Sequence, residues 1–264
     1  MLFRFLIEFL YALSIILIIT KITLYLYNSK IKSMKILYIT ILSFIFISSA
    51  NCQENKNSFN YVIKTNIKKY NLESNQAFEN NDSEKGQILF DSLVSNHLIG
   101  TDFEDYTLKG FEKRKVKLSS FKKPLFILTY TSWCIPSKGE IPALNKLAQK
   151  YAKDVQFVIL FWDKKHNVKK IARKFNHNIS VCYANESYKN DASIVANLKH
   201  TLGFPTSYFL DENLKVINIK RGGAQPDNKS TYVKAYTMNY NNFRDGLGSL
   251  LLEKNISKEQ LSTN

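Results

Sequence analysis

Residues 125–137 read LFILTYTSWCIPS, and this stretch decides the fold. Its first six residues form a nearly continuous apolar run, which is typical of a strand buried on both faces of a sheet. The run leads to Cys134 and Pro136, and a helical pattern follows from Ser137 to Tyr151. This order predicts a thiol at the N-terminus of a helix, where free backbone N–H groups and the helix dipole stabilise a thiolate.

The motif around Cys134 contains a single thiol. Ser137 stands where a second cysteine would complete a C-x-x-C motif, and a serine cannot release a mixed disulfide. We expect the Ser137 hydroxyl to donate a hydrogen bond to the Cys134 thiolate, which would favour its charged form. A serine tolerated at the start of a helix, with no role in the chemistry, is compatible with the same pattern.

Two apolar stretches open the chain. Residues 1–33 are either a membrane segment, although Arg4, Glu8 and Lys21 interrupt its apolar stretch over residues 2–27, or a region that precedes a true start at Met34. Residues 34–52 have the layout of a secretory signal, with a short basic start, an apolar run and a small polar end. Cleavage, retention as an anchor, and acylation of Cys52 as in a lipoprotein all remain open. Each alternative predicts export, to the periplasm or to a membrane-tethered position.

The remaining chain divides by composition. Residues 53–96 are rich in Asn, Lys and Glu and are interpreted as a polar linker or N-terminal extension, with a short helix near its end. In residues 97–254 strands alternate with helices and an antiparallel hairpin and a helix close the pattern. This order predicts an α/β domain whose mixed sheet is covered on both faces. Residues 255–264 are interpreted as a polar tail.

The charge of the chain is strongly positive. The formal net charge is +15, and beyond residue 52 there are 32 basic against 21 acidic residues. The lysines are scattered among asparagines and isoleucines, which indicates a solvated basic surface, so we expect no nucleic-acid partner. An anionic membrane surface would suit the same charge.

Several motifs in residues 97–254 lie in the order found in one known family. They are the predicted hairpin and lead-in over residues 100–124, the motif Trp133-Cys134-Ile135-Pro136, Pro142, the segment Gly203-Phe204-Pro205-Thr206, and the turn 211–213. In these features the segment resembles the thioredoxin superfamily, in particular the extracytoplasmic TlpA/ResA-like redoxins. The resemblance implies a thioredoxin-like mixed sheet flanked by helices, with an N-terminal hairpin extension, an inserted strand–helix unit and a helix kinked at Pro142.

The resemblance also implies a set of site residues. Cys134 is the expected nucleophile, and the residues expected to surround and support it are Thr131, Trp133, Pro136 and Ser137. The expected substrate-binding residues are Phe204, Pro205 and Thr206, because a cis proline beside the thiol leaves the preceding backbone free to pair with an extended peptide. Cys182 is expected on an edge strand, two strands away from Cys134 and too far to form a disulfide with it. No carboxylate lies in residues 125–130, so the buried acid of some thioredoxins is absent from its expected place.

These residues predict thiol–disulfide exchange through one cysteine. An external thiol or the substrate's own second cysteine would resolve the mixed disulfide, with protein or small-molecule disulfides and thiols as partners and no cofactor or metal. One alternative is a redox-inactive thioredoxin-fold module that binds peptides or proteins. Another is a one-cysteine peroxidase, because Thr131 and Cys134 have the T-x-x-C spacing of peroxiredoxins, although Ile127 stands where those enzymes have a proline.

Overall fold

The computed structural model divides the chain into two compact units, Met1–Glu54 and Asn55–Asn264. The described residues, with side-chain burial given as far as residue 252, are 13–23, 55–112, 115–134, 136–224, 226–227 and 229–262. In the first unit residues 13–23 are helical and largely exposed. Within the described ranges no helix is long and apolar enough to cross a membrane. The predicted signal at 34–52, including Cys52, lies outside the described residues, as does Ile135.

The second unit alternates strands and helices. Its described strands are β1 (Thr107–Gly110), β2 (Val116–Lys117), β3 (Leu125–Tyr130), β4 (Gln156–Phe161), β5 (Ile179–Tyr183), β6 (Thr206–Leu210) and β7 (Val216–Arg221). Its described α-helices are α1 (Phe59–Glu79), α2 (Ser83–Leu93), α3 (Glu140–Lys150), α4 (Lys165–Ala172), α5 (Ala192–Ile194), α6 (His200–Leu202) and α7 (Tyr232–Ser262). A π-helical turn, Val195–Lys199, joins α5 to α6, and another, Val94–Leu98, follows α2.

The seven strands form one mixed sheet in the order β2-β1-β5-β4-β3-β6-β7. The three central strands β5, β4 and β3 are parallel, and β6, β7, β1 and β2 add antiparallel pairs on either side. This is the thioredoxin-like mixed sheet that the sequence predicts. The predicted hairpin before β3 is present, and its two strands β1 and β2 lie within the predicted range 100–124.

Each face of the sheet has its own apolar core. The strand β3 is buried at all six positions, and its alternate residues point to opposite faces, which explains its continuous apolar run. One core contains Phe126 and Leu128 from β3 and packs against α3, α4 and α7. The other contains Leu125 and Ile127 from the same strand and packs against α1, α2 and the helical segment 192–202.

The segment predicted as a polar linker or extension packs closely against the sheet. Phe59 and Ile63 on α1 and Phe90 on α2 are fully buried, and the ring of Phe59 lies 5.2 Å from Phe103 and 6.1 Å from Tyr208 between centroids. The expectation of loose packing does not hold here, because a few widely spaced aromatic residues carry the burial within a polar composition. At the other end, α7 continues through the predicted tail to Ser262.

Candidate thiol site

The loop that carries Cys134 begins where β3 ends. The carboxyl end of β3 lies beside that of its parallel neighbour β4, so Asp163, just after β4, comes close to the loop. The Ser132 backbone N–H and hydroxyl donate to the Asp163 carboxylate at 2.6 and 2.7 Å, and Asp163 is buried. The Cys134 N–H donates to the Thr131 carbonyl at 3.1 Å, which closes a tight turn. These hydrogen bonds hold the position of the thiol.

The sulfur of Cys134 accepts a hydrogen bond from a threonine. The Thr131 hydroxyl oxygen lies 3.0 Å from the sulfur, and Thr131 itself is buried. The Ser137 hydroxyl, which we expected to donate to the sulfur, donates instead to the Asn239 side-chain oxygen at 3.1 Å. The Ser137 oxygen also accepts from the Asn239 side-chain nitrogen at 2.8 Å. Asn239 on α7 is fully buried and also donates to the Lys138 carbonyl, so it fixes the chain after the thiol. Among the described contacts, Thr131 takes the role predicted for Ser137.

The helix after the thiol begins later than predicted. Its first residue is Glu140, six positions after Cys134, so the thiol does not sit at the helix N-terminus. The delay begins at Gly139, which has a positive φ of +79°, and a Cβ there would lie 2.7 Å from the Cα of Tyr236 on α7. Pro142 is the third helical residue, where no intrahelical donor is needed, so the expected kink has no cause there.

A buried carboxyl group stands at the start of this helix. Glu140 is 4% exposed, and one of its oxygens accepts from the Ser137 backbone N–H at 2.6 Å. Burial raises the pKa of Glu140 to about 7, and the Ser137 hydrogen bond opposes that rise. A group beside the thiol loop therefore changes its charge near neutral pH.

Cys134 opens into a groove of about 700 Å³. The groove is lined by Tyr130, Ser137, Glu140, Leu202, Phe204, Pro205, Arg221 and residues 222–224, with Ser83 and Gln87 of α2 on one wall. The Phe204–Pro205 peptide bond is cis, as predicted. Trp133 is 72% exposed and packs edge-on against Phe204, with 5.6 Å between ring centroids, so an apolar surface flanks the thiol.

Four predicted site residues are not among those that line the groove: Thr131, Trp133, Pro136 and Thr206. Thr131 contacts the sulfur and Trp133 packs on Phe204, as described above. Thr206 is fully buried, and its N–H donates to the Thr129 hydroxyl at 3.0 Å. It therefore secures the segment behind Pro205 and is not placed to contact a substrate. Pro136 is half-buried in the chain after the thiol and is not among the lining residues.

Part of the chain is similar to known proteins. Residues 99–219 match the model of the AhpC/TSA family. Over these residues the chain is similar to that family of thioredoxin-fold proteins. Thiol-disulfide oxidoreductase ResA of Bacillus thuringiensis is 25% identical over 142 residues, which cover 53% of this chain and 79% of that protein. Thioredoxin-like protein YneN of Bacillus subtilis is 26% identical over 124 residues, which cover 47% of this chain and 71% of that protein.

Solved structures are similar to the same part of the chain. The structure of a putative thiol:disulfide interchange protein DsbE from Chlorobium tepidum is 25% identical, covers 52% of this chain and 94% of its own, and has a TM-score of 0.39. The AhpC/TSA match begins at residue 99, after the helices α1 and α2.

The second described cysteine has a packing role. Cys182 is fully buried in the core that α1 and α2 cover, whereas Cys134 packs against the core on the opposite face. Burial raises the pKa of the Cys182 thiol to about 12. Its strand β5 is not an edge strand as predicted, because β1 pairs with it on the side away from β4. Cys182 is therefore no resolving thiol for Cys134.

Four groups of the site were not found from the sequence. Glu140 carried a signal, because Ser137-Lys138-Gly139-Glu140 has the S-x-x-E spacing of a capping box, in which the glutamate reaches back to the serine N–H. Asp163, Asn239 and Arg221 carried none, since the tertiary fold alone brings them to the thiol loop or the groove. In the described ranges no group of three His, Cys, Asp or Glu residues could hold a metal ion.

Proposed function

We propose that this chain is a thiol–disulfide oxidoreductase that works through Cys134 alone. The observation that carries the proposal is the surroundings of the sulfur: a groove wide enough for a disulfide, with the Thr131 hydroxyl 3.0 Å from the nucleophile. The relatives named thiol-disulfide oxidoreductases support the reaction class. Ser137 at the resolving position and the burial of Cys182 support the single-cysteine mechanism.

The first step is an attack of the Cys134 thiolate on one sulfur of a substrate disulfide. A new S–S bond joins Cys134 to that sulfur, the old S–S bond breaks, and the second substrate sulfur leaves with the electron pair as a thiolate. The Thr131 hydroxyl stabilises the attacking thiolate by its hydrogen bond. Trp133 and Phe204 provide an apolar contact for the substrate chain beside the sulfur.

The second step needs a thiol from outside the motif. That thiol, or the substrate's own second cysteine, attacks the mixed disulfide and releases Cys134, so electrons pass between substrates with no net change in the protein. Glu140 supports both steps as a proton reservoir in the groove, because its pKa of about 7 lets it carry a proton just below neutral pH and release it just above.

Export is part of the proposal. It is supported by the apolar run after Met34 and the small polar residues before Cys52. An oxidising compartment suits a protein that exchanges disulfides. Mass spectrometry of the mature chain from its native host tests this part: a new N-terminus within or after residues 34–52, or a lipid on Cys52, supports export, and an unprocessed chain confined to the cytoplasm contradicts it.

Trapping the mixed disulfide tests the mechanism. The full chain with Cys52→Ser and Cys182→Ala is treated with a disulfide-bonded peptide, and the products are resolved by non-reducing electrophoresis and mass spectrometry. We expect one peptide on Cys134, stable until glutathione is added and absent in the additional variant Cys134→Ser. A Cys134 that forms no adduct, in a chain that still binds the peptide, would instead identify the protein as a binding module.

A one-cysteine peroxidase is a second candidate, because the Thr131 hydroxyl against the sulfur is the contact that the T-x-x-C spacing predicts. The same variant is treated with hydrogen peroxide in the presence of excess dithiothreitol, and peroxide consumption is followed. Consumption over many turnovers that depends on Cys134 would favour the peroxidase. Peroxide consumption no faster than in the additional variant Cys134→Ser, together with rapid disulfide exchange by Cys134, would favour the oxidoreductase.

A further inference from the structure

The groove contains the guanidinium of Arg221, which packs against aromatic rings of the N-terminal helices α1 and α2. Arg221 is the last residue of β7, and its guanidinium carbon lies 4.8 Å from the ring centroid of Phe90 and 5.5 Å from that of Tyr70. Both rings are buried, on α2 and α1, and they pack edge-on with 6.5 Å between centroids. A planar guanidinium stacked on fixed rings loses little further freedom when it binds an anion.

Arg221 lines the same groove as Cys134 and Pro205. Its position at the end of β7 follows from the sheet, because it pairs with Thr206, the residue after the cis proline. Ser83 and Gln87 of α2 line the same groove and bring further polar groups to it. A substrate whose disulfide reaches Cys134 therefore extends within the groove that Arg221 lines.

No carboxylate of the described residues lies within 4.0 Å of the Arg221 guanidinium. The one acidic residue that lines the groove is Glu140, and one of its oxygens is engaged by the Ser137 backbone. Glu140 is also protonated in a large fraction of molecules near neutral pH, which limits its attraction for a cation. Arg221 thus brings a positive charge to the groove that the described part of the chain does not neutralise.

We propose that Arg221 selects disulfides that carry a carboxylate near the scissile S–S bond. The inference rests on the exchange reaction proposed above and adds its substrate class: an acidic disulfide, held by a guanidinium–carboxylate contact while Cys134 attacks the sulfur. The bonds made and broken are those of the first exchange step, and Arg221 itself exchanges no electron or proton. Arginine suits this role because its fork of donors matches a carboxylate.

Two aromatic disulfides of similar size, one anionic and one neutral, test the proposal. Dithiobis(nitrobenzoate) is a disulfide with two carboxylates, and dithiodipyridine is a neutral disulfide at pH about 7.5. Second-order rates of reaction with Cys134 are measured by stopped flow in the full chain with Cys52→Ser and Cys182→Ala. Arg221→Gln should lower the rate with the anionic reagent about three- to tenfold and that with the neutral reagent less than about twofold.

Two further variants separate recognition from overall charge and from structure. Lys220→Gln removes one charge from the adjacent residue of β7, which does not line the groove, and it should leave the ratio of the two rates unchanged. Arg221→Lys keeps the charge and should retain part of the preference. In the parent chain the anionic rate should fall with added salt, and in Arg221→Gln this dependence should weaken.

The outcomes distinguish the two proposals. If the parent chain reacts with neither reagent, the exchange function fails. If both rates fall together in Arg221→Gln, or if Lys220→Gln changes the ratio equally, exchange stands and selection by Arg221 is overturned. Oxidised glutathione and a peptide disulfide with Asp beside the cysteine, each against its amide counterpart, then identify the source of the carboxylate. An unchanged preference for both acidic forms in Arg221→Gln also overturns the proposal.

Discussion

Cys134, in the loop after β3, and Cys182, within β5, differ in burial and in access to solvent. Cys134 follows the carboxyl end of β3, faces a groove and accepts a hydrogen bond from Thr131. Cys182 lies within β5, is fully buried on the other face, and has a pKa raised to about 12 by burial. Since the thiolate is the nucleophile, the second environment suppresses the chemistry that the first one supports. We therefore expect the cysteine at the strand end to react with disulfides and the cysteine within the strand to remain inert.

Replacing each thiol in turn would test this contrast most directly. Cys134→Ser should abolish mixed-disulfide formation, a loss beyond about a hundredfold, because an alcohol does not attack a disulfide at neutral pH. Cys182→Ala should leave the exchange rate within about twofold and lower the free energy of unfolding by about 1 kcal/mol through lost packing. Exchange kinetics and urea denaturation measure the two effects. Substantial exchange by the Cys134→Ser chain would break the comparison.

A second thiol at the reactive end would sharpen the comparison. Ser137→Cys completes C-x-x-C, so the new cysteine should attack the mixed disulfide on Cys134 and release the bound thiol. With a neutral aromatic disulfide we expect two equivalents of released thiol in place of one, and a lifetime of the mixed disulfide shorter by more than about tenfold. Ser187→Cys, in an exposed turn far along the chain, is the matched control. Equal lifetimes in the two variants would contradict the assigned role of position 137.

The titration of Glu140, which lines the groove with Cys134, should make the free energy of unfolding depend on pH. Its pKa is about 7 in the folded chain against 4.5 for an unperturbed glutamate. Between these values the folded state keeps a proton that the unfolded state has lost, so this group makes folding less favourable as pH rises through that interval. Glu140→Gln should remove the dependence and stabilise the chain at pH about 8 by up to about 3 kcal/mol, with little gain at pH about 4.5. Thermal unfolding at the two pH values measures the difference, and an equal shift at both would contradict the assignment.

The smallest expected effect concerns Thr131. Thr131→Val keeps the shape of the side chain and removes the hydroxyl that contacts the sulfur, so exchange at neutral pH should slow by about three- to tenfold. Thr131→Ser keeps the hydroxyl and should stay close to the parent rate. Alkylation and exchange rates of Cys134 in both variants measure the effect. A serine variant as slow as the valine variant would show that the methyl group, and not the hydrogen bond, matters at this position.

The sequence was sufficient where a signal is local. The apolar run of β3 predicted the central strand, and Gly203-Phe204-Pro205-Thr206 predicted the cis proline that the structure contains. The prediction that Cys134 is the nucleophile rests on the same local signal. The position of the helix start did not, because Gly139 and its close approach to Tyr236 delay the helix, and that contact joins residues far apart in the chain.

Residues that are distant in the sequence form part of the site, and the sequence analysis did not identify them. Asn239 and Arg221 reach the site from α7 and β7, and no pattern around either residue indicates such a contact. The packing of α1 and α2 was missed for a related reason. Their overall composition is polar, and only the packing of Phe59 and Phe90 against residues of the sheet shows that both helices contribute to the core.

The packing of α1 against the sheet determines where the chain can be truncated. A fragment that begins at residue 99, where the family match begins, would remove the rings that cover Phe103 and Tyr208. The bared face would be a broad apolar surface in water, of the kind that drives aggregation. The smallest fragment that stays monomeric should therefore begin near Asn55, so sequence similarity to relatives underestimates the length of the folding unit.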